Sequence, residues 1–204
     1  MEGSATSVAL LCLFLSISSY MKTCSGQGDD MEFIKTSCGV TLYPDLCFQT
    51  LSAYATSVHG SPRRLAQVAL KVSLRSDRSS SDRVVSLSKE NEMSPREAAA
   101  VADCVEMIGD SMDELQQSLK EMKHLSGPDF YQKLSNIQTW VSAALTNEDT
   151  CMDGFEGDAM NGNIKNIIRN CILNVAQLTS NALALINKLS STQANEHQTD
   201  QQHP

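Results

Sequence analysis

Apolar residues recur at alternating spacings of four and three along several segments of this chain, and that spacing constrains the fold more than any other feature. Side chains at such spacings lie on one side of an α-helix, where they must pack against neighbouring helices. The clearest case follows Ser94-Pro95-Arg96-Glu97, a typical helix start with a Ser cap and a Pro in the first turn. The apolar positions of this helix are Val101, Val105, Ile108, Met112, Leu115, Leu119 and Met122.

Three further segments show helical spacing. One begins at Ser61-Pro62-Arg63, with apolar positions Leu65, Ala69 and Val72. The segment after Gly127-Pro128 has Phe130, Leu134, Ile137, Val141, Ala144, Glu148, Cys151 and Phe155. Its polar member, Glu148, predicts that the packing loosens near the end of this helix. The last segment has Ile164, Ile168, Cys171, Val175, Leu178, Ala182, Leu185 and Leu189. Together they predict an all-α fold, an antiparallel four-helix up-and-down bundle.

Two segments outside these stripes leave more room for interpretation. Residues 75–83 are polar and form either a solvated part of one long helix or a break before Val84; we favour the continuous helix. Residues 31–57 indicate two short helical pieces around Tyr43-Pro44, because Pro44 cannot continue a helix from its N-terminal side but suits the first turn of a new one. This region predicts an N-terminal helical hairpin.

The ends of the chain differ from its middle. Residues 1–26 contain a short apolar core followed by the small residues Thr23, Ser25 and Gly26, a pattern typical of a secretory signal peptide. Residues 27–190 carry the helical stripes and are expected to form one domain. Residues 191–204 have no apolar anchor and predict a disordered polar tail. We therefore expect a secreted, extracellular protein that is not held in a membrane.

The charge of the chain limits its partners. The formal net charge is −8, which argues against binding nucleic acid, acidic polysaccharides or anionic membranes. It favours a neutral or basic partner. The oligomeric state is not predictable from these features.

Five cysteines follow the leader, and their number fits an oxidising compartment. They are Cys38, Cys47, Cys104, Cys151 and Cys171. One of the five must stay unpaired, and four paired cysteines allow three connectivities. A Cys38–Cys47 bridge would close the hairpin, whereas Cys171 lies on an apolar stripe that suits a free thiol. The sequence has no Cys-x-x-Cys pair and no His close to the cysteines. It therefore does not indicate a metal site.

Catalytic motifs are missing from the sequence of the predicted bundle domain. His59 and His124 are the two histidines between the leader and the polar tail, and neither lies in a metal-binding or triad motif. No Gly-rich phosphate loop is present. We expect no enzyme activity and no cofactor, and a function that depends on binding another protein.

Several motifs resemble one protein family, the plant invertase and pectin methylesterase inhibitors. Phe33-Ile-Lys-Thr-Ser-Cys38 and Tyr43-Pro-Asp-Leu-Cys47 resemble the N-terminal hairpin of the family. The second bundle helix of the family resembles Ala102-Asp-Cys104 of this chain. The third resembles Trp140-Val-Ser-Ala-Ala-Leu-Thr146, and the fourth resembles Leu178-Thr-Ser-Asn-Ala-Leu-Ala-Leu-Ile186. The resemblance implies that disulfides join Cys38 to Cys47 and Cys104 to Cys151, with Cys171 free.

The family contains inhibitors of two enzymes. Invertase inhibitors often carry a Pro-Lys-Phe motif before the third helix, where this chain has Pro128-Asp129-Phe130, with an acid in place of the cation. The resemblance therefore favours an inhibitor of pectin methylesterase in the plant cell wall, one that occludes the groove in which pectin lies. An inhibitor of acid invertase is the alternative, and a secreted scaffold or ligand-binding protein without an enzyme target is an alternative of another class.

Two polar helix faces are candidates for the contact with the enzyme. The second bundle helix has an acidic face opposite its apolar stripe, with Asp103, Glu106, Asp110, Glu114, Gln117 and Glu121. This face is either an ordinary solvated surface or a surface that steers a basic enzyme toward the inhibitor. On the third helix, hydroxyl side chains at Ser135, Thr139, Ser142, Thr146 and Thr150 point to the same side. The predicted interface residues are Thr139, Ser142, Thr146, Asp103, Glu106 and Asp110.

Overall fold

The computed structural model describes residues 28–89, 93–157, 160 and 162–200, with side chains described as far as residue 191. Every regular element in this part of the chain is helical. Two short helices, α1 (residues 28–38) and α2 (Pro44–Leu51), form the predicted hairpin. A 3-10 turn at Ser52–Tyr54 and α3 (Ala55–Val58) lead into the bundle. The predicted signal peptide, with Cys12 and Cys24, lies outside the described residues.

Four long helices form the bundle, as the apolar stripes predict. They are α4 (Pro62–Leu87), α5 (Pro95–Lys123), α6 (Phe130–Asp153) and α7 (Asn163–Asp200). α4 packs against α5 and α7, and α6 packs against the same two neighbours, so that α4 and α6 lie diagonally across the bundle. The polar residues 75–83 are part of α4, which confirms the continuous helix.

The starts of α4 and α5 follow directly from their sequences. At α5 the hydroxyl of Ser94 accepts a hydrogen bond from the backbone N–H of Glu97, while the Glu97 carboxylate accepts one from the backbone N–H of Ser94 at 2.9 Å. This reciprocal capping box satisfies two N–H groups that a helix end otherwise leaves without partners. Ser61 caps α4, also with a Pro in the first turn. Gly127, with φ of 78°, makes the left-handed turn between α5 and α6.

The core has two parts along the bundle axis. The part nearest the hairpin packs Ile34 and Leu51 against bundle residues such as Leu65 and Ile137. The other part surrounds Cys104 and includes the fully buried Phe155. Asn181 of α7 ties the hairpin to the bundle, because its side-chain amide accepts from the Tyr43 N–H at 3.1 Å and donates to the Tyr43 carbonyl at 3.0 Å.

Two disulfides connect neighbouring helices in the pairing that the resemblance implies. Cys38–Cys47 joins α1 to α2, with the two Cα atoms 5.6 Å apart. Cys104–Cys151 joins α5 to α6, with a Cα separation of 4.4 Å. Cys171 is free, as expected. It lies only partly buried at the margin of the core, where the next residue, Ile172, takes the fully buried position.

The structure differs from the sequence prediction at the C-terminal end. α7 continues to Asp200, so the backbone of residues 191–200 is helical where the sequence predicts a disordered tail. These residues include neither Gly nor Pro, and adding residues to a helix that packing has already formed costs far less than starting one. The last four residues of the predicted tail lie outside the described residues.

Neither a membrane-spanning helix nor a metal-binding cluster occurs in the described part of the chain. None of its helices is both long and apolar enough to cross a membrane. No group of three or more His, Cys, Asp or Glu side chains in it could hold a metal ion.

Removing the Cys104–Cys151 bridge tests how much it stabilises the bundle. We expect the double variant Cys104→Ala/Cys151→Ala to lose about 4 kcal/mol of unfolding free energy, because the unfolded chain no longer contains the closed loop. Urea titration under oxidising conditions measures the loss. Cys171→Ala is the matched control and should stay near wild type; a double variant as stable as that control would contradict the expectation.

Candidate functional site

The predicted interface residues all lie on the surface of two neighbouring helices. Thr139, Ser142 and Thr146 are exposed along the outer side of α6. The carboxylates of Asp103, Glu106 and Asp110 are exposed on α5. We call these two sets the hydroxyl face and the acidic face. Since α5 and α6 pack against each other, the two faces belong to adjacent helices of the bundle.

The hydroxyl face is ordered by its own helix. The Thr139 hydroxyl donates to the Ser135 carbonyl at 3.0 Å, and the Ser142 hydroxyl donates to the Gln138 carbonyl at 2.8 Å. Thr146 makes the same contact with the Ser142 carbonyl at 3.1 Å. Each hydroxyl proton is therefore already used, and the face offers a partner oxygen lone pairs and threonine methyl groups. Fixed rotamers also reduce the entropy that these side chains would lose in a complex.

Side-chain hydrogen bonds hold both flanks of the α6 face. Toward α5, Asn147 donates to Glu114 at 3.1 Å. Toward α7, Gln138 donates to Asn187 at 2.8 Å. Glu114 belongs to the predicted acidic surface but is half-buried, and burial raises its pKa, with a smaller contribution from the nearby charge of Asp110. The acidic face available to a partner is therefore narrower than the sequence predicts.

A layer of buried polar side chains crosses the bundle beneath these faces. Its members are Ser73 and Asp77 of α4, Ser111 of α5, Glu148 of α6 and Thr179 of α7, and all five are fully buried. The position of Glu148 corrects one expectation, because the packing does not loosen there. The carboxyl group is enclosed by residues from all four bundle helices, which lets a polar residue occupy an apolar stripe.

The hydrogen bonds of this buried polar layer require a carboxyl proton. The Ser111 oxygen lies 2.7 Å from Asp77 Oδ2 and 3.1 Å from Glu148 Oε1, yet its hydroxyl has one proton to donate. One of the two carboxyl groups must therefore be protonated for both contacts to be hydrogen bonds. The remaining oxygens, Asp77 Oδ1 and Glu148 Oε2, have no hydrogen-bond partner within the described residues, which makes two buried negative charges still more costly.

Burial raises the pKa of both carboxyl groups, and the rise is larger for Glu148. Burial, followed by the charge of Asp77, raises the pKa of Glu148 to about 8. Burial also raises the pKa of Asp77 to about 6, against a smaller opposing contribution from its hydrogen bond with Ser111. Near neutral pH the Glu148 carboxyl thus donates to Ser111, Ser111 donates to Asp77, and Thr179 donates to Glu148 at 2.9 Å. The Thr179 hydroxyl is in turn hydrogen-bonded to Ser73.

Comparison with known proteins places the chain in a family. The family model described as "Plant invertase/pectin methylesterase inhibitor" matches residues 32–185. The chain belongs to this family. Among curated relatives, Pectinesterase inhibitor 9 of Arabidopsis thaliana is 43% identical over 196 residues, which cover 93% of this chain and 96% of that protein. The 21 kDa protein of Daucus carota is 47% identical over 163 residues, covering 78% of this chain and 84% of that protein.

Solved structures of the family share the fold. A mutant form of a pectin methylesterase inhibitor from Arabidopsis superposes with a TM-score of 0.59 and 20% identity, covering 76% of this chain and 95% of that one. The four-helix bundle with an N-terminal hairpin is therefore the fold of this inhibitor family member, as the apolar stripes predict.

Sequence reasoning missed the buried polar layer of this inhibitor family member. Asp77 lies in the polar segment that was expected to be solvated, and nothing local distinguishes it from its exposed neighbours. Glu148 was the available signal, because a carboxylate within an apolar stripe requires polar partners from the facing helices. Identifying Ser111 and Thr179 as those partners requires knowing which helices face each other.

The buried polar layer predicts a bundle that is more stable in acid. A carboxyl group with a raised folded-state pKa stabilises below its unfolded pKa and loses that contribution as the pH rises through the folded value. For Asp77 and Glu148 this interval runs from about 4 to about 8. We therefore expect the unfolding free energy to fall by several kcal/mol across this interval, measured by urea titration at several pH values.

Glu148→Gln isolates the main contribution, because the amide keeps the size and hydrogen-bonding capacity of the side chain but cannot ionise. We expect this variant to lose less stability than wild type between about pH 5 and about pH 8. Asp153→Asn, an exposed carboxylate on the same helix, is the control and should follow wild type. An unaltered pH profile in Glu148→Gln would show that Glu148 does not titrate in this interval.

Proposed function

We propose that this protein is a secreted inhibitor of pectin methylesterase that binds the enzyme stoichiometrically and occludes its pectin-binding groove. The observation that carries the proposal is the alignment with Pectinesterase inhibitor 9, which extends over nearly the full length of both chains. The two disulfides support function in an oxidising compartment such as the plant cell wall. Secretion itself rests on the signal peptide that the sequence predicts.

The hydroxyl face of α6, with the acidic face of α5 beside it, is the proposed contact surface. A typical stable complex buries about 1,600 Å² in total, so many residues share the contact. The hydrogen bonds to α5 and α7 keep the α6 face in place before docking. Little conformational entropy is then lost on binding, and this preorganisation supports tight inhibition.

The two carboxyl groups with raised pKa values do not support a catalytic function. Paired carboxyls of this kind are common at active sites. Here Asp77 and Glu148 are fully buried, with no exposed surface through which a substrate could reach them. Their raised pKa values reflect the interior of the bundle, which fits an inhibitor.

The inhibition assay tests the proposed function together with its surface. We expect the purified protein to inhibit pectin methylesterase at mildly acid pH, with a titration end point at equal molar amounts, and to leave acid invertase active. The variant Thr139→Arg/Thr146→Arg should weaken inhibition at least tenfold, because two large charged side chains cannot be accommodated in a close-packed interface.

The control for this variant is Ser86→Arg, an exposed position on α4, which lies diagonally opposite α6. It should inhibit like wild type. Inhibition of invertase alone would favour the alternative member of the family, and activity against neither enzyme would favour a scaffold. Normal inhibition by the folded double-arginine variant would exclude the hydroxyl face from the contact.

The acidic face generates a separate kinetic prediction. If Asp103 and Glu106 steer a basic esterase, Asp103→Lys/Glu106→Lys should slow association severalfold at low salt, with dissociation little changed. Stopped-flow mixing at several salt concentrations measures both rates. The control Asp29→Lys/Glu32→Lys makes the same charge change at exposed positions on α1. Equal association rates for the two charge-reversed variants would show that the acidic face does not act locally.

A further inference from the structure

A cationic groove lies on the side of the bundle formed by α4 and α5. Lys71, Arg75 and Arg78 of α4 line it, together with Leu74 and with Leu119 of α5. The groove has a volume of about 270 Å³, and all three cationic side chains are exposed. We refer to it as the cationic groove. It shares none of its lining residues with the hydroxyl face or the acidic face.

The positive charge of the groove is not neutralised. Arg75 donates a hydrogen bond to the Tyr54 hydroxyl at 3.1 Å, and this neutral partner orients the guanidinium without cancelling its charge. Neither Lys71 nor Arg78 forms an ion pair with a carboxylate of the described residues. Such a cluster in a protein of net charge −8 means that the charges are segregated on the surface.

The spacing of the cations suits a linear polymer of anions. Residues 71, 75 and 78 lie at i, i+4 and i+7, so they recur once per turn on one side of α4 over roughly 10 Å. The groove is open, and single contacts between exposed charges are weak. Several such contacts along one chain add up, so the geometry favours an extended ligand with a regular series of carboxylates over a small molecule.

We propose that the cationic groove binds de-esterified pectin, a linear polyuronate. The choice of this polymer rests on the proposed function. Hydrolysis of each methyl ester by pectin methylesterase leaves a carboxylate on the polymer and releases methanol, so the reaction itself creates the anionic ligand. The inhibitor is thereby concentrated on stretches of polymer where the enzyme has already acted. This proposal departs from the expectation that the negative net charge of the protein excludes acidic polysaccharides. A bound polymer contacts only the groove, where the local charge is positive.

The arrangement of helices allows both partners to bind together. α4 lies diagonally across the bundle from α6 and its hydroxyl face. The two proposed sites both include residues of α5, but the three cations lie on α4 and no lining residue is shared, so a polyuronate along α4 leaves the hydroxyl face of α6 open to the esterase. Binding to the polymer raises the local concentration of the inhibitor near its target without any new contact to the enzyme.

Calorimetric titration of the full protein with a polygalacturonate oligomer, without enzyme and with EDTA present, tests the proposal. We expect binding at low salt and mildly acid pH that weakens as salt rises. The variant Lys71→Gln/Arg75→Gln/Arg78→Gln should bind at least fivefold more weakly. Highly methyl-esterified pectin, which has few carboxylates, should bind neither protein.

The control variant Lys35→Gln/Lys89→Gln/Arg169→Gln removes the same number of cations from exposed positions elsewhere and should bind like wild type. Circular dichroism verifies that both variants are folded. Three results would overturn the proposal: no binding by wild type, equal loss in both variants, or equal binding of esterified and de-esterified polymer. Inhibition is measured separately, so a protein that binds polyuronate without inhibiting the esterase would refute the proposed function and leave the groove assignment intact.

Discussion

The contact between α5 and α6 organises the rest of this molecule. These two helices pack together more extensively than any other pair, and Cys104–Cys151 joins them covalently within the second core. Both carry a member of the buried polar layer, Ser111 on α5 and Glu148 on α6. The surface proposed to meet the enzyme is the outer side of the same two helices. Covalent and hydrogen-bonded constraints inside the pair therefore set the geometry of its outer face.

The buried polar layer adds a dependence on the environment that the disulfides do not have. Its two carboxyl groups have no neutralising cation among their hydrogen-bond contacts, and the chain of hydrogen bonds from Ser73 to Asp77 needs one carboxyl proton. The fold is therefore suited to mildly acid surroundings. A neutral or alkaline medium favours a second buried negative charge, which opposes the packing of all four bundle helices.

The sequence predicts the helices and their order well, because each bundle helix has an apolar stripe and α4 and α5 begin with clear caps. Ser94 and Glu97 form the expected capping box, and Asp103 and Thr139 are exposed as expected. Burial of Asp77 could not be predicted, since it depends on which side of α4 meets α5 and α7. The cationic groove could not be predicted from the sequence either. Net charge sums over all sides of the molecule and does not show that cations are grouped on one of them.

Hydrogen–deuterium exchange of the disulfide-intact protein, alone and with an equimolar amount of pectin methylesterase, tests the central claim most directly. The claim is that the α5–α6 pair is a preformed surface that covers the groove of the enzyme. It predicts slower exchange in peptides from α5 and α6 when the enzyme is present, with α4 unchanged. Slower exchange confined to α4 or to the N-terminal hairpin, or no change anywhere, would contradict it.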